Sequence, residues 1–316
     1  MKGQFYLLLV AGIFIPLFYV GAQQNSAIHK LLEQSYNLVP VHSKDTQYFE
    51  MESNLKKYAP DGARLAVDIY RLRLRCVPSN NKSTGDEYTC LHASVQLSNA
   101  PEMNIPSLTN WKYYFSLSAK NADNKAPTFG IDPGKFEKLT GENGKMLAIE
   151  NSYHVYNAFI DFHSMNVFSE KTDSGKGIQD LIHIGDKVIH SASFSKPLVN
   201  IGSQVGEGSY FRNGEITLSF KGLSQQNHKN CALLEYDSGE SSFYMVVKPM
   251  PNMEIPTKGS SHYWGDIFKD LGTGWIQKAT LHELVVSETS MPGQSAKINS
   301  VIERSIIISN VNGPKN

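Results

Sequence analysis

The sequence predicts a mainly β protein in which antiparallel meanders form one large or two tandem β-sandwich or curved-sheet units, with two or three short helices. The first observation is a period-two alternation near residue 50, where Phe49, Met51 and Leu55 are separated by polar residues. The second is the turn at residues 60–62, because proline presets φ and glycine accepts a positive φ. The third is that the second half of the chain repeats this pattern.

The composition is that of a folded protein without a preference for a charged partner. Of the 316 residues, 41% are hydrophobic and 19% are charged, so the chain can bury a core and is too apolar to be disordered. Positive and negative side chains balance at 30 each, so the protein has no overall field that attracts nucleic acid or anionic lipid. We therefore expect no nucleic-acid partner.

The N-terminus has the layout of a secretory signal peptide. Lys2 precedes an apolar run over residues 5–20, and Val20 and Ala22 are suited to positions −3 and −1 of a cleavage site. We expect residues 1–22 to be removed and the protein to be secreted or periplasmic, without a transmembrane anchor in the mature chain. The alternative, an uncleaved anchor, is disfavoured because the run is short and contains Pro16.

Two cysteines in the first half of the chain are candidates for a disulfide. After a helix and connector over residues 23–44, the β-rich segment 45–196 places Cys76 at the end of one predicted strand and Cys90 near the start of the next. Because an exported protein meets an oxidising compartment, we predict a Cys76–Cys90 disulfide and an unpaired Cys231.

The second predicted strand changes phase. Leu65, Val67 and Ile69 share one face, whereas the apolar residues beyond Tyr70 fall on the other, which predicts a β-bulge near Tyr70. The bulge would align three arginines on one exposed stripe, which is either an anion site or a solvated face that discourages edge pairing. These arginines are Arg71, Arg73 and Arg75.

Residues 153–164 mix aromatic and polar side chains, and their pattern fits two structures. On a strand, Asn157, Asp161 and His163 would share a face. On a helix, residues 155, 159 and 162 would form an apolar stripe. In either case we predict that Asp161 is held by hydrogen bonds, with His163, Arg71 or a backbone N–H group as the partner, because burying an unpaired carboxylate is costly.

The remainder forms a second antiparallel β segment over residues 197–312, followed by a tail at 313–316. A Gly/Ser-rich stretch before residue 208 marks its start, and hairpin turns at residues 237–240 and 271–274 separate some of its strands. The predicted strands are 215–223, 230–237, 242–248, 262–269, 275–287 and 301–309.

No catalytic motif with fixed spacing is present, so candidate site residues rest on residue type and clustering. The candidates for catalysis are Asp161, His163, His262 and Asp266. Residues 262–270 alternate to place aromatics and carboxylates on one face, which is typical of a sugar-binding cleft. The candidates for a zinc site, if the fold brings three together, are His154, His163, His183 and His190.

The sequence favours a binding or structural role without a cofactor. The first alternative is a carbohydrate-active hydrolase that uses a carboxylate pair on a β scaffold. The second alternative is a carrier of an apolar ligand in a curved sheet, which needs an open apolar concave face. Carbohydrate and apolar molecules are therefore the two ligand classes that the sequence suggests.

Overall fold

The computed structural model describes residues 29–79, 85–115, 129–172, 175–195, 204–250, 252–293 and 295–313. The predicted signal peptide at residues 1–22 lies outside them. Within these ranges the chain forms fifteen β-strands in one antiparallel sheet and one long α-helix, α1, at Ile149–Ser169. A further helical turn covers residues 29–33, and three 3-10 helices cover Pro106–Leu108, Pro133–Phe136 and Ile178–Asp180. The predicted mainly β fold is confirmed.

The strands, in chain order, are as follows. The first seven are β1 (Gln47–Tyr58), β2 (Arg64–Val77), β3 (Asp86–Leu97), β4 (Met103–Asn104), β5 (Lys112–Phe115), β6 (Lys187–His190) and β7 (Ser193–Ser195). The other eight are β8 (Gln204–Val205), β9 (Tyr210–Asn213), β10 (Ile216–Gln226), β11 (Lys229–Ser238), β12 (Ser241–Met250), β13 (Met253–Asp270), β14 (Ile276–Ser290) and β15 (Lys297–Val311).

The main path of the sheet runs β4-β3-β2-β1-β15-β14-β13-β11-β10-β6. β5 pairs with β3, and β12 extends from β13 with β8 and β9 on its other side. The first long strand of the chain pairs with the last, β1 with β15, over eleven residue pairs. Strands on both sides of the predicted boundary near residue 196 therefore belong to the same sheet.

The sheet curves around α1. Phe162 contacts Tyr88 on β3 with ring centroids 5.8 Å apart, and Phe168 stacks on Tyr236 of β11 at 5.2 Å. In a flat sheet the six strand steps from β3 to β11 would span about 29 Å. Residues 162 and 168 are only about 9 Å apart along a helix. The sheet must therefore bend around the helix. We call the face that packs on α1 the inner face and the opposite face the outer face.

Strand β1 has the predicted alternation, but β2 does not have the predicted bulge near Tyr70. Even-numbered residues face inward along β2, from the buried Asp68 through Tyr70 to Cys76, and Leu65 is 68% exposed. The strand therefore keeps one alternation along this stretch. The inner position at residue 68 is occupied by Asp68 instead of an apolar residue, and its carboxylate accepts a hydrogen bond from the backbone N–H of Ser98 at 3.0 Å. The register shift lies instead between Arg73 and Leu74, opposite β3.

The predicted Cys76–Cys90 disulfide is wrong. The register places Cys76 opposite Tyr88 and Cys90 opposite Leu74, so the two cysteines are diagonal neighbours and not a direct pair. Such neighbours are about 7–8 Å apart, beyond the Cα separation that a disulfide spans. All three cysteines are buried and free.

Residues 153–164 form the middle of α1. Val155, Phe159 and Phe162 are buried, as the helical pattern requires. Phe159 packs edge-on against Trp111 at 5.6 Å and against Phe136 at 5.4 Å. Because apolar surface lies on most sides of the helix, burial of this stripe accounts for much of its stability.

Candidate functional site

An exposed aromatic cluster lies on the outer face of β11, β13 and β14. Trp264 on β13 is 40% exposed. Its indole stacks on the His282 ring of β14 with centroids 5.8 Å apart, and the His262 ring lies 5.1 Å away along β13. Asp237 on β11 lies opposite Trp264 in the register, and its Oδ1 accepts a hydrogen bond from His262 Nε2 at 2.9 Å. We call these four residues the Trp264 platform.

The alternation of β13 and β14 explains why these side chains meet. On β13, residues 262, 264, 266 and 268 point to the outer face, while Ile267 between them is buried in the core. The partner strand places His282 directly opposite Trp264. Paired strands on both sides hold the backbone, so the platform is fixed before any ligand binds.

Two carboxylates from different strands meet next to the platform. Asp266 on β13 lies opposite Glu235 on β11. Burial raises the pKa of Asp266, and the neighbouring Glu235 adds to the increase. Glu235 is paired with Lys221 at 3.1 Å. Directly opposed residues have Cβ atoms about 5 Å apart, so the two carboxyl groups are close enough to act on one ligand.

A groove of about 750 Å³ opens on the outer face where β15, β1, β2 and β3 lie side by side. Its walls carry charges of both signs, and Ile307, which is half-exposed, contributes apolar surface. The charged residues at the groove are Glu50, Glu52, Arg71 and Arg73, and His92 lies beside them.

The arginine stripe predicted on β2 lies on this outer face, and carboxylates partner two of its three members. Arg71 Nε lies 2.9 Å from Glu52 and its Nη1 lies 3.2 Å from Glu102. Arg73 Nε is 3.6 Å from Glu50, which is too long for a hydrogen bond. The buried Nε atom of Arg73 accordingly has no hydrogen-bond partner among the described residues.

Asp161 is placed at the junction of α1 and the sheet. It forms an ion pair with Arg304 Nη1 of β15, and Arg304 also binds Glu283 of β14 through Nε at 2.8 Å and Nη2 at 2.6 Å. Burial raises the pKa of Asp161 to about 6; Arg304 opposes the increase and Glu283 adds to it. The partner is thus Arg304, not the predicted His163, Arg71 or backbone N–H group.

His163 is fully buried between α1 and β5. Its Nε2 lies 2.9 Å from the Tyr113 hydroxyl, and its ring stacks on Phe115 at 4.5 Å. Burial lowers the pKa of His163 to about 3, so the imidazole is neutral at ordinary pH. A neutral, enclosed imidazole serves here as a core residue.

The four histidines considered for zinc do not come together. His154 lies near Tyr70 and Glu150, His183 near Asp186, and His190 at the β6 edge. In the ranges that the structure describes, no three His, Cys, Asp or Glu side chains are grouped as a metal ion requires.

Sequence reasoning named His262 and Asp266 as candidates but did not name the residues that meet them or Asp161. Those residues are Asp237, Glu235, His282, Glu283 and Arg304. The phase of β15 offers one signal. Arg304 has the same parity as the buried Ile306 and Ile308, so it shares their face and points inward. The pairing of β13 with β11 was not predicted, so Asp237 could not be connected with His262.

The fold and the site define a curved antiparallel β protein with an exposed aromatic surface on its outer face. No protein-family model matches the chain, and no curated protein matches it in sequence. The chain is similar to a mutant of the Rh. blastica porin at 8% identity and a TM-score of 0.19, over 84% of this chain and 100% of the porin. It is also similar to OmpT, an outer membrane protein of Vibrio cholerae, at 9% identity and a TM-score of 0.17, over 86% of this chain and 100% of OmpT. These scores are too low to carry an argument. No helix in the described parts of the chain is long and apolar enough to cross a membrane.

Proposed function

We propose that the protein is an exported binding protein that recognises carbohydrate on the outer face of its sheet through the Trp264 platform. The observation that carries the proposal is the position of Trp264, an exposed indole fixed between two imidazoles on a long central strand. A pyranose ring offers C–H groups that pack on an aromatic face and hydroxyl groups at its edge. The platform offers the matching aromatic face.

Polar groups around the indole suit the hydroxyl groups of a sugar. Asp237 and Asp266 supply hydrogen-bond acceptors, and each imidazole of His262 and His282 supplies one donor and one acceptor nitrogen when neutral. The paired strands hold these groups in place, so little conformational entropy is lost on binding.

The inner face offers less support for a ligand site. An apolar-ligand carrier needs an open apolar inner face, and α1 packs against that face from β3 to β11. The exposed aromatic side chains of the Trp264 platform lie on the opposite side of the sheet. This arrangement favours carbohydrate over an apolar ligand.

Binding can be tested with affinity electrophoresis against a panel of soluble polysaccharides. We expect Trp264→Ala to weaken binding by about 2 kcal/mol, or about thirtyfold in Kd, as for a central aromatic contact residue. The matched control is Tyr114→Ala, which removes another exposed aromatic from β5, outside the platform. Equal loss in both variants, or no binding to any polysaccharide, would contradict the proposal.

A second candidate function is glycoside hydrolysis by Glu235 and Asp266. The observation that favours it is the opposition of the two carboxylates beside Trp264, with the pKa of Asp266 raised. Opposed positions on paired strands let two carboxyl groups approach the separation of about 5 Å found in retaining glycosidases, in which the ionised carboxylate attacks and the protonated one donates to the leaving group. If this is correct, Asp266→Asn abolishes release of reducing ends and keeps polysaccharide affinity. Absence of reducing ends with the wild-type protein on substrates that it binds would exclude this function.

A further inference from the structure

A second exposed aromatic pair lies on the same face of the sheet as the Trp264 platform. Tyr210 on β9 lies directly opposite Tyr244 on β12, and their ring centroids are 6.3 Å apart. Tyr210 is 41% exposed. Tyr244 in turn lies opposite Lys258 on β13, an outward residue with the same parity as Trp264. The two tyrosines therefore project from the outer face, and we call them the tyrosine pair.

The register sets the distance between the tyrosine pair and the platform. β13 pairs with β14 without a register shift from Thr257 to Phe268, so the even-numbered residues of β13 stay on the outer face along this stretch. Residues 258 and 264 are six positions apart on β13. Because a strand rises about 3.4 Å per residue, the two aromatic sites lie about 20 Å apart along the strand. Strands paired on both sides hold them at this separation.

The surface between the two aromatic sites carries small and polar side chains. Ser242 on β12 lies opposite Ser260 on β13, and His262 is the next outward residue of β13. Serine side chains rise little above a sheet and offer hydroxyl groups, so an extended sugar chain can lie on this surface. Leu284 and Val286 of β14, opposite His262 and Ser260, border it with exposed apolar surface, which suits the C–H groups of a pyranose ring.

The opposite face of β9 and β12 is used for packing. The rings of Phe211 and Phe243 lie 5.9 Å apart there, and Phe243 is opposite Gly259 on β13. A Cβ atom at Gly259 would lie 2.5 Å from the Phe243 ring, so the ring packs directly on the strand. The tyrosines on the outer face instead present rings and hydroxyl groups to solvent-exposed surface, where a ligand can bind them.

We propose that the tyrosine pair is a second sugar-binding subsite, and that the ligand is an extended polysaccharide lying along β13 from Trp264 to Tyr244; this inference rests on the proposed carbohydrate function. A disaccharide is too short to contact both sites. A longer chain held at one site presents its remaining units to the other at a high effective concentration, so the two contacts reinforce each other. The protein therefore selects its ligand by chain length.

The test compares Tyr244→Ala with Tyr114→Ala in the full-length mature protein. Tyr114 is another exposed tyrosine and lies on β5, away from both aromatic sites. The probes are laminarin, xylan, hydroxyethyl cellulose and dextran, each compared with its own disaccharide: laminaribiose, xylobiose, cellobiose and isomaltose. Tryptophan fluorescence measures affinity, and thermal unfolding checks that each variant is folded. Tyr210→Ala repeats the test at the other member of the pair.

Chain length is measured directly in a second experiment. A partial hydrolysate of the polymer that binds is passed over the immobilised protein, and mass spectrometry gives the lengths of the chains retained. We expect the wild type to retain chains long enough to span about 20 Å and to release shorter ones. Tyr244→Ala should lose this dependence on length, because one aromatic site remains.

We expect the wild type to bind at least one polymer at least about tenfold more tightly than the matching disaccharide. Tyr244→Ala should weaken binding of that polymer by about tenfold, as for the loss of one aromatic contact, and leave binding of the disaccharide at Trp264 unchanged. Tyr210→Ala should weaken polymer binding in the same direction. Tyr114→Ala should behave as the wild type.

Two results would overturn this inference alone: equal effects of Tyr244→Ala and Tyr114→Ala on polymer binding, or equal affinity of the wild type for a polymer and its disaccharide. In both cases Trp264→Ala would still weaken binding, and the proposed function would stand. Failure of the wild type to bind any of the four polymers would instead count against the proposed function. The two failures are therefore distinguishable.

Discussion

Arg304 connects the helix to the sheet through two carboxylates. It is mostly buried, and Asp161 of α1 and Glu283 of β14 bind its guanidinium from two elements. Removing the arginine leaves two enclosed carboxylates without a counter-charge. We expect Arg304→Gln to lower the free energy of unfolding by about 3–5 kcal/mol.

Chemical denaturation at pH 7 measures this change. The matched control is Arg212→Gln, because Arg212 lies on the short strand β9 away from the cluster. Equal stability of Arg304→Gln and the wild type would contradict a structural role for the cluster.

The raised pKa of Asp161 makes part of the stability depend on pH. Between the unfolded pKa near 4 and the folded pKa of about 6, the folded state binds more protons than the unfolded state. The unfolding free energy therefore falls as pH rises through this window. Relative to Asp161→Asn, the wild type should lose up to about 3 kcal/mol between pH 4 and pH 7. A difference between the two proteins that stays constant with pH would show that the pKa of Asp161 is not raised.

The three thiols give a prediction that needs no substitution. Burial raises the pKa of Cys90 to about 12 and of Cys231 to about 11, and it also raises the pKa of Cys76. Because the thiolate is the reactive form, the native protein should react slowly with a thiol reagent. Unfolded without reductant, it should titrate three thiols, consistent with three free cysteines. A titre of one would establish a disulfide.

At the scale of single residues, the sequence predicted the need for an Asp161 partner but not its identity. A buried carboxylate requires a counter-charge, and that requirement follows from residue type alone. Arg304 is 143 residues away, and only the pairing of β14 and β15 under α1 brings it to Asp161. Long-range pairing of this kind leaves no local pattern in the sequence.

At the scale of elements, α1 is the main packing partner of the inner face. Phe162 is fully buried and contacts rings on β1 and β3. Phe162→Ala removes those contacts and leaves a cavity, so we expect a loss of about 3–5 kcal/mol in unfolding free energy. Ile160→Ala, at a half-buried position of the same helix, should cost less. A greater loss for Ile160→Ala would show that the packing of α1 is assigned incorrectly.

The helix and β2 show why local patterns predict some elements and not others. Residues 153–164 fit both the two-residue period of a strand and the 3.6-residue period of a helix, because their aromatic and polar residues alternate and also recur at helical spacing. In β2, Asp68 occupies an inner position that pattern reasoning reserves for an apolar residue, so the strand was wrongly assigned a bulge. A polar residue satisfied in the core therefore changes the apparent phase of a strand.

At the scale of the whole molecule, the sheet separates the packed core from the exposed candidate site. The inner face holds the helix and the core, and the outer face presents the Trp264 platform and the groove. Alternation within strands predicted the mainly β fold and placed His262, Trp264 and Asp266 on one face. It did not predict the β1–β15 pairing that joins the first and last long strands, because strand order depends on contacts far apart in the chain.

The most direct test of carbohydrate recognition at the Trp264 platform is acrylamide quenching of tryptophan fluorescence with and without a bound polysaccharide. Trp264 is the most exposed of the three tryptophans, since Trp275 is buried and Trp111 is partly buried. Saturation with a polysaccharide that binds should protect one indole from quenching, and Trp264→Ala should remove the protected fraction. Unchanged quenching at saturation would place the ligand elsewhere and contradict the proposed function.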